Sequence, residues 1–356
     1  MKQDQQNKTV LLMAGGTGGH VVPALAVAAE LVARGYQVEW LGSERGIEST
    51  LVPKQGITLH KFPVVGIRGK NPLLLMKALF ALMISIISAF KLLGQIRPLA
   101  VVGMGGFASG PGAVAAKLRG VPIIIHEQNA VAGTTNRMLA RLASKVLSAF
   151  ENELAATVIG NPVPESVASI KASPSSRVGN DARMLVMGGS LGALALNEMI
   201  PKALGKLPVD RRPTVVHQCG RGRVDETKAS YSREGVNAEV VEFIDRVAER
   251  YRDSDFIVCR SGALTVSEIA CAGLPAILVP FPFAIDDHQT ANANVLASVG
   301  AAKILQQSDW SEAQIAESLD ELTNNPDLRE AYSEAASAVA IRDAAARAVD
   351  IIESLK

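Results

Sequence analysis

The sequence predicts an α/β fold made of two doubly wound domains. Three observations carry this. Short apolar runs that read as buried strands alternate with helix-like stretches along the chain, which is the pattern of βαβ units. Glycine clusters close the strand-to-helix turns in both halves, at Gly15–Gly19, Gly103–Gly106 and Gly188–Gly192. The length of 356 residues suits two domains, since a domain typically takes roughly 150 residues.

The elements follow in order. Val10–Met13 is a first strand and Pro23–Val32 its helix; Gly35 closes the helix and Val38–Leu41 is the next strand. Leu99–Val102 and Ile123–Ile125 continue that sheet. A second start lies at Met184–Met187, followed by the Gly188-Gly189-Ser190 turn and a helix. Thr214–His217, Phe256–Val258 and Ala276–Val279 are its further strands. Between the halves, Gly160–Asp181 is rich in Pro, Ser, Gly and Asn and reads as a linker rather than a core element. In such sheets ligands bind beyond the carboxyl ends of the strands.

Composition narrows the function. Lys plus Arg is 36 and Asp plus Glu 35, with only 4% aromatics. That balance speaks against a nucleic-acid binder, which needs basic excess or stacking platforms. The cysteines Cys219, Cys259 and Cys271 are odd in number and form no CxxC pair, so neither a disulfide framework nor a structural zinc site is expected. The polar residues 1–9 and the short run Val10–Met13 do not make a signal peptide, so a cytoplasmic chain is expected.

Glycine turns that lead into helix N-termini suit phosphate groups, because the free N–H groups and the helix dipole favour an anion. A dinucleotide fingerprint fails: Gly16-Thr17-Gly18-Gly19-His20 runs on into Val21, where the third glycine is required. The second strand ends Trp40-Leu41-Gly42-Ser43, with Glu39 too early to meet a ribose. No Walker loop is present. The second half is sharper. Cys259-Arg260-Ser261-Gly262 leads into a helix over Ala263–Ala272, whose N-terminus suits a pyrophosphate. Glu268 lies about one and a half turns in, where a carboxylate can accept both hydroxyls of a ribose. The polar run Asp286-Asp287-His288-Gln289-Thr290-Ala291-Asn292 suits sugar hydroxyls.

These motifs occur together in one order: GGTGGH at 15–20, GMGGFASGPG at 103–112, HEQN at 126–129, GNPV at 160–163, GGSLGA at 188–193, CRSGALTVSE at 259–268 and DDHQTANA at 286–293. The chain resembles the UDP-N-acetylglucosamine:N-acetylmuramyl-(pentapeptide) pyrophosphoryl-undecaprenol N-acetylglucosamine transferases of bacterial peptidoglycan synthesis. The resemblance implies a GT-B fold, two Rossmann-like domains facing across a cleft. It places the N-terminal domain at 1–163, joined by a C-terminal helix about 341–356, and the donor-binding domain at 164–340. It implies transfer of N-acetylglucosamine from UDP-N-acetylglucosamine to the muramyl 4-hydroxyl of lipid I, with inversion and without a metal or other cofactor. The implied partners are the donor, the lipid I acceptor, an anionic membrane surface at the cytoplasmic face of the inner membrane, and a cell-wall or cell-division complex.

By the same resemblance, Ser190 and the helix after Gly262 hold the diphosphate. Ile244 meets uracil through its backbone, with Phe243 nearby. Ala263, Leu264 and Thr265, followed by Val266 and Ser267, line the phosphate and sugar end, and Glu268 binds ribose. Gln289, with His288 beside it, contacts the N-acetylglucosamine hydroxyls, and Thr17, Gly18, Gly19 and Asn129 close over the sugar. The family reads GNPVR where this chain has Pro164. A proline cannot supply the guanidinium, so either Arg260 compensates or the donor binds less tightly.

Glycosyl transfer needs a base for the acceptor hydroxyl and a stabiliser for the departing diphosphate. His20, which titrates near neutrality by default, is the expected base and Glu127 the reserve. Arg260 and the helix ends are expected to carry the leaving-group charge. The segment Leu73–Phe90 is largely apolar and carries no charge except Lys77, short of the roughly 20 apolar residues of a span. It reads either as a core helix or as a membrane-docking face using Leu75, Leu79 and Phe80, with Arg68, Lys70, Lys77 and Lys91 meeting anionic headgroups. The rival readings are a sugar-nucleotide epimerase or hydrolase of the same architecture, and a non-enzymatic nucleotide-sugar sensor.

Overall fold

The computed structural model describes residues 8–44, 46–62, 72–106, 109–173, 175–189 and 192–355, with backbone alone over 72–79. The chain folds as two units, one of Met1–Pro164 with Asp343–Lys356 and one of Glu165–Arg342.

The first unit runs β1 (Thr9–Met13), α1 (Gly18–Ala33), β2 (Gln37–Ser43), α2 (Glu48–Lys54), β3 (Thr58–Phe62), α3 (Pro72–Ile96), β4 (Ala100–Gly103), α4 (Ser109–Arg119), β5 (Ile123–Glu127), α5 (Thr134–Leu139), β6 (Lys145–Ser148) and β7 (Thr157–Val158). The strands pair in parallel in the order β3-β2-β1-β4-β5-β6-β7. Side chains alternate across a strand, so β1 feeds two cores. Val10 and Leu12 pack with Val21, Ala24 and Val27 of α1. Leu11 and Met13 pack on the other face with Ala89 and Leu93 of α3 and Ala113 and Ala116 of α4. Burial on both faces is why β1 is wholly apolar after Thr9.

The second unit runs α6 (Glu165–Ala168), β8 (Arg183–Met187), α7 (Leu194–Gly205), β9 (Thr214–Gln218), α8 (Val224–Arg233), β10 (Ala238–Val241), α9 (Val247–Asp253), β11 (Phe256–Cys259), α10 (Ala263–Ala272), β12 (Ala276–Leu278), α11 (His288–Ala297), β13 (Ala302–Ile304), α12 (Glu312–Asn324) and α13 (Pro326–Ala338). Its parallel sheet has the order β10-β9-β8-β11-β12-β13. Met184 and Val186 of β8 meet Leu196 and Ile200 of α7 and Leu319 of α12 in its core.

The last helix, α14 (Ala344–Glu353), belongs to the first unit. Val349 and Ile352 enter the α1 core. Arg34 bonds Asp350 at 2.6 Å and Glu353 at 3.0 Å, and the Tyr36 hydroxyl donates to Glu353 at 2.9 Å.

Two sequence expectations change. Gly160–Asp181 does carry the boundary between the units, at Pro164 and Glu165, but it is not a linker alone, because Val167, Ala168 and Ile170 are buried and α6 packs on α10. Proline and serine mark irregular backbone, and irregular backbone also occurs where a chain is packed against a domain. The strands β3, β6, β7, β10 and β13 were not expected; β6 is short, opens on the exposed Lys145 and lies between β5 and the edge strand β7. The other four lie at sheet edges, where one side is solvated and the apolar run disappears.

Candidate active site

In the second unit, β11 ends at Cys259 and the chain turns through Arg260, Ser261 and Gly262 into α10. Gly262 caps the helix without a side-chain hydrogen bond, and the first intrahelical bond runs from the Val266 N–H to the Gly262 carbonyl. The N–H groups of Ala263, Leu264 and Thr265 are therefore the open donors of the first turn. They point the positive end of the helix dipole outward from the strand end, as a diphosphate requires.

Neighbouring loops are pinned to this turn. The Ser261 hydroxyl donates to the Gln289 carbonyl at 2.8 Å, and the Asn292 amide donates to the Ser261 carbonyl at 3.2 Å. Gln289 Oε1 accepts the Phe281 N–H at 2.9 Å, which fixes the amide and leaves its NH2 to donate. His288 donates from Nδ1 to the Ile285 carbonyl at 2.8 Å, so Nε2 is the acceptor nitrogen when the ring is neutral. Asp286 and Asp287 just ahead are both left-handed, with φ of 53° and 47°. Such backbone costs about 1–3 kcal/mol per residue and concentrates at functional sites.

Glu268 is buried on α10, along with Val266 and Ser267. Burial lifts its carboxyl to about 7, against the lowering effect of the Tyr251 hydroxyl, which donates to it at 2.9 Å. Arg260 commits its Nη atoms to the carbonyls of Val279 and Pro280 and to Gln307 Oε1, at 3.2, 3.0 and 2.6 Å. The guanidinium thus holds the β12 exit in place, in addition to any part in binding an anion. Gln218, which no motif announced, donates to the carbonyls of Gly189 and Glu242 at 3.1 and 3.0 Å. It brings the third glycine loop beside the Glu242–Asp245 segment. There Phe243 is exposed and the Ile244 side chain is buried, so the segment is anchored from below. Ser190 lies outside the described residues.

In the first unit, α1 begins at Gly18, earlier than expected, and His20 stands in its first turn. Thr17 caps the helix without a side-chain bond and is exposed, and the Gly18 and Gly19 N–H groups belong to the first turn, where they have no intrahelical acceptors. The second glycine loop packs on the first. A Cβ at Gly105 would stand 2.8 Å from the His20 ring, and one at Gly106 would overlap the Gly15 carbonyl. These glycines therefore serve loop-on-loop packing, where the sequence suggested a phosphate cradle. Gly106→Ala, at φ 81°, is expected to destabilise the protein by about 1–3 kcal/mol, read as a lower midpoint in urea unfolding.

His20 sits below the ordinary imidazole range. Desolvation of the half-buried ring outweighs the raising effect of the Glu127 and Glu48 carboxylates. The imidazole is neutral at pH 7 and so holds the lone pair that a base needs. Glu127 is differently employed. Oε1 accepts the Asn129 N–H and amide at 2.9 and 3.1 Å, and Oε2 accepts the Gly133 N–H and Asn136 amide at 3.0 and 2.9 Å. A carboxylate has about four lone-pair positions, and all are filled. Glu127 holds the 128–136 loop and, with it, Asn129; it has no free lone pair with which to act as the reserve base. His126 donates to the Gly160 carbonyl at 2.9 Å, and Gln128 ties this loop to the Met104 carbonyl at 2.9 Å.

The two units match two family models. Residues 10–148 match the glycosyltransferase family 28 N-terminal domain and residues 183–350 its C-terminal domain. The chain belongs to glycosyltransferase family 28. Among curated family 28 relatives, the UDP-N-acetylglucosamine–N-acetylmuramyl-(pentapeptide) pyrophosphoryl-undecaprenol N-acetylglucosamine transferase of Azotobacter vinelandii is 50% identical over 96% of this chain and 97% of its own. The transferase of the same name from Pseudomonas putida strain W619 is 49% identical over 97% of each. The crystal structure of Acinetobacter baumannii MurG superposes with a TM-score of 0.83 at 40% identity, over 98% of this chain and 99% of that one. Two parallel-sheet Rossmann-like domains of this kind make a GT-B glycosyltransferase.

In this family 28 chain the helix α3 is two-sided. Ser85, Ala89, Leu92 and Leu93 face the core, while Phe80, Met83, Ile84, Ile87 and Phe90 form an exposed stripe at helical spacing. Arg119 of α4 lies with its guanidinium 3.9 Å from the Phe90 ring centroid, and Lys91, Lys117 and Leu118 are exposed beside it. No helix among the described residues is long and apolar enough to cross a membrane. The side chains of Leu75, Lys77 and Leu79 lie outside the described residues, as do Arg68 and Lys70.

Proposed function

We propose that the chain transfers N-acetylglucosamine from UDP-N-acetylglucosamine to the 4-hydroxyl of the muramyl sugar of lipid I, forming lipid II with inversion. The observation that carries this is identity of about half over nearly the full length to transferases bearing that name. An epimerase or a sensor reading has no comparable support.

The chemistry follows from the residues. His20 takes the proton from the acceptor hydroxyl as its oxygen attacks the anomeric carbon. The bond from that carbon to the UDP oxygen breaks on the opposite face, with no covalent enzyme intermediate. The departing diphosphate gains charge beside the open N–H groups of Ala263, Leu264 and Thr265, donors already aimed there before reaction. Ser190 and Arg260 assist, Glu268 receives the ribose hydroxyls, and the Ile244 backbone and Phe243 take uracil. The Gln289 amide and His288 bind the sugar, and Thr17, Gly18, Gly19 and Asn129 close over it. The helix amides supply the positive potential that a cation supplies elsewhere, so neither metal nor cofactor is needed. Labelled donor incubated with a lipid I analogue in EDTA is expected to yield labelled lipid product. Free sugar or an epimerised nucleotide as the sole product overturns the reading.

The exposed stripe on α3, rimmed by Lys91, Lys117 and Arg119, suits docking on an anionic membrane at the cytoplasmic face, where a polyprenyl acceptor resides. Replacing Phe80, Met83 and Ile87 together with serine is expected to lower co-sedimentation with anionic vesicles at least tenfold, a loss of about 1.4 kcal/mol. Turnover of a soluble acceptor is expected to be unchanged. Undiminished pelleting sinks the docking assignment.

A further inference from the structure

Glu48 has no part in the chemistry above, yet its carboxylate is built into the base of the first glycine loop. It opens α2 and is fully buried. Oε2 accepts the Gly16 N–H at 3.0 Å. Oε1 accepts the Ser43 N–H at 2.9 Å and the Ser43 hydroxyl at 2.6 Å. The side chain occupies space that other side chains are denied. A Cβ at Gly15 would stand 2.6 Å from Oε1, one at Gly42 2.8 Å from Cγ, and one at Gly46 would overlap the carboxylate. Three chain segments, after β1, at the end of β2 and before α2, therefore close around one acidic group.

Removing an ionised carboxylate from water is costly, and it persists when its lone pairs are filled. An apolar residue would fill this space without that cost but would leave the Gly16 N–H without its acceptor. What the carboxylate adds is a fixed conformation for Gly16, which lies at φ 95° one residue ahead of Thr17.

We propose that Glu48 is a positioning residue for the transfer reaction: its carboxylate clamps Gly16 and so sets the placement of Thr17, Gly18, Gly19 and the His20 ring. The inference rests on the reading of His20 as the base. Electrostatics act in the same direction. Among the described residues, the charged groups that act on the His20 ring are Glu127, from β5, and Glu48, from α2, and both favour its protonated form. Glu48 therefore both holds the base and strengthens it.

Glu48→Gln tests this. The glutamine oxygen can keep the two Ser43 donors, but its NH2 then meets the Gly16 N–H donor to donor. The expected result is a kcat lower by about 10- to 100-fold, the scale of a misplacement near 1 Å, with UDP affinity by calorimetry unchanged within about twofold. The His20 imidazole, followed by ¹⁵N NMR and assigned with His20→Ala, is expected to titrate lower than in the wild type. Amide exchange at Gly16–Gly19 is expected to quicken. In the His20→Ala background, Glu48→Gln is expected to add a smaller loss than it causes in the wild type, the part carried by Thr17, Gly18 and Gly19. Glu48→Asp keeps the charge but draws the carboxylate away from Gly16; it is expected to lose kcat with a smaller change in the His20 titration.

A kcat within twofold of wild type in Glu48→Gln overturns the proposal. So do losses that add in full to those of His20→Ala. Failure of both variants to fold also overturns it, by making Glu48 a residue of the fold alone. If instead His20→Ala itself keeps wild-type kcat, the base assignment is what fails. The amide exchange and the His20 titration then still decide whether Glu48 clamps the loop.

Discussion

His20→Ala lowers kcat by about 10²–10⁴-fold, the usual contribution of a positioned base, while UDP affinity stays near wild type. The expectation rests on where the ring lies and on its charge. It stands in the first turn of α1 with the Gly105 backbone against it. Burial holds it neutral at physiological pH, against the pull of Glu127 and Glu48. The sign of the pH dependence follows. A base with a lowered pKa loses its lone pair only under acid, so the acidic limb of kcat/KM, which reports the free enzyme, lies below the ordinary imidazole value of about 6.5. His20→Gln is expected to fold as wild type and to be as slow as His20→Ala, because an amide cannot take the proton. A variant at either substitution with kcat near wild type removes His20 from the chemistry.

Glu268→Ala weakens the donor by about 100-fold, or about 2.7 kcal/mol, chiefly as a raised donor KM. Buried carboxylates that match hydroxyl pairs discriminate strongly, because their loss leaves polar groups unpaired. Here the Tyr251 hydroxyl also loses its acceptor. The same variant is expected to lose preference for UDP over 2′-deoxy-UDP in calorimetry, and retained preference would remove Glu268 from ribose recognition. Its pH behaviour separates it from His20. The carboxyl ionises at about 7 in the folded chain because it is buried. Donor affinity of the free enzyme is therefore expected to rise as pH increases through about 7, and Glu268→Gln to flatten that rise. Stability runs the other way. A carboxyl with a raised folded pKa favours the folded state when protonated, and that contribution is lost as pH climbs from the unfolded value of about 4.3 through the folded one. Glu268→Gln is thus expected to melt higher than wild type at pH 8 while binding donor less well. A site that needs an ionised group in a dry helix carries this opposition between stability and binding.

Much of this was legible because it is periodic or chemically singular. The strands β1, β4, β5, β8, β11 and β12 are buried on both faces over most of their length and each contains a continuous apolar run. The α10 turn was legible from Gly262 and from the carboxylate about one and a half turns into the helix, at Glu268. The edge strands lacked such a run, and the Gly160–Asp181 segment hid buried Val167 and Ile170 among its prolines.

The sequence by itself determined the two α/β halves, the glycine-led helix N-terminus proposed for the diphosphate, and the named family, because each depends on residues close together or on long ordered motifs. Tertiary structure alone decided what the carboxylates do. Glu127 and Glu48 are alike as residue types, and both prove to be loop holders with their oxygens filled by backbone, amide and hydroxyl donors. Gln218 was silent in the sequence, and yet it joins the third glycine loop to the chain beyond β10. A hydrogen-bond partner is chosen by distance and direction in space, and linear spacing carries neither across a crossover connection.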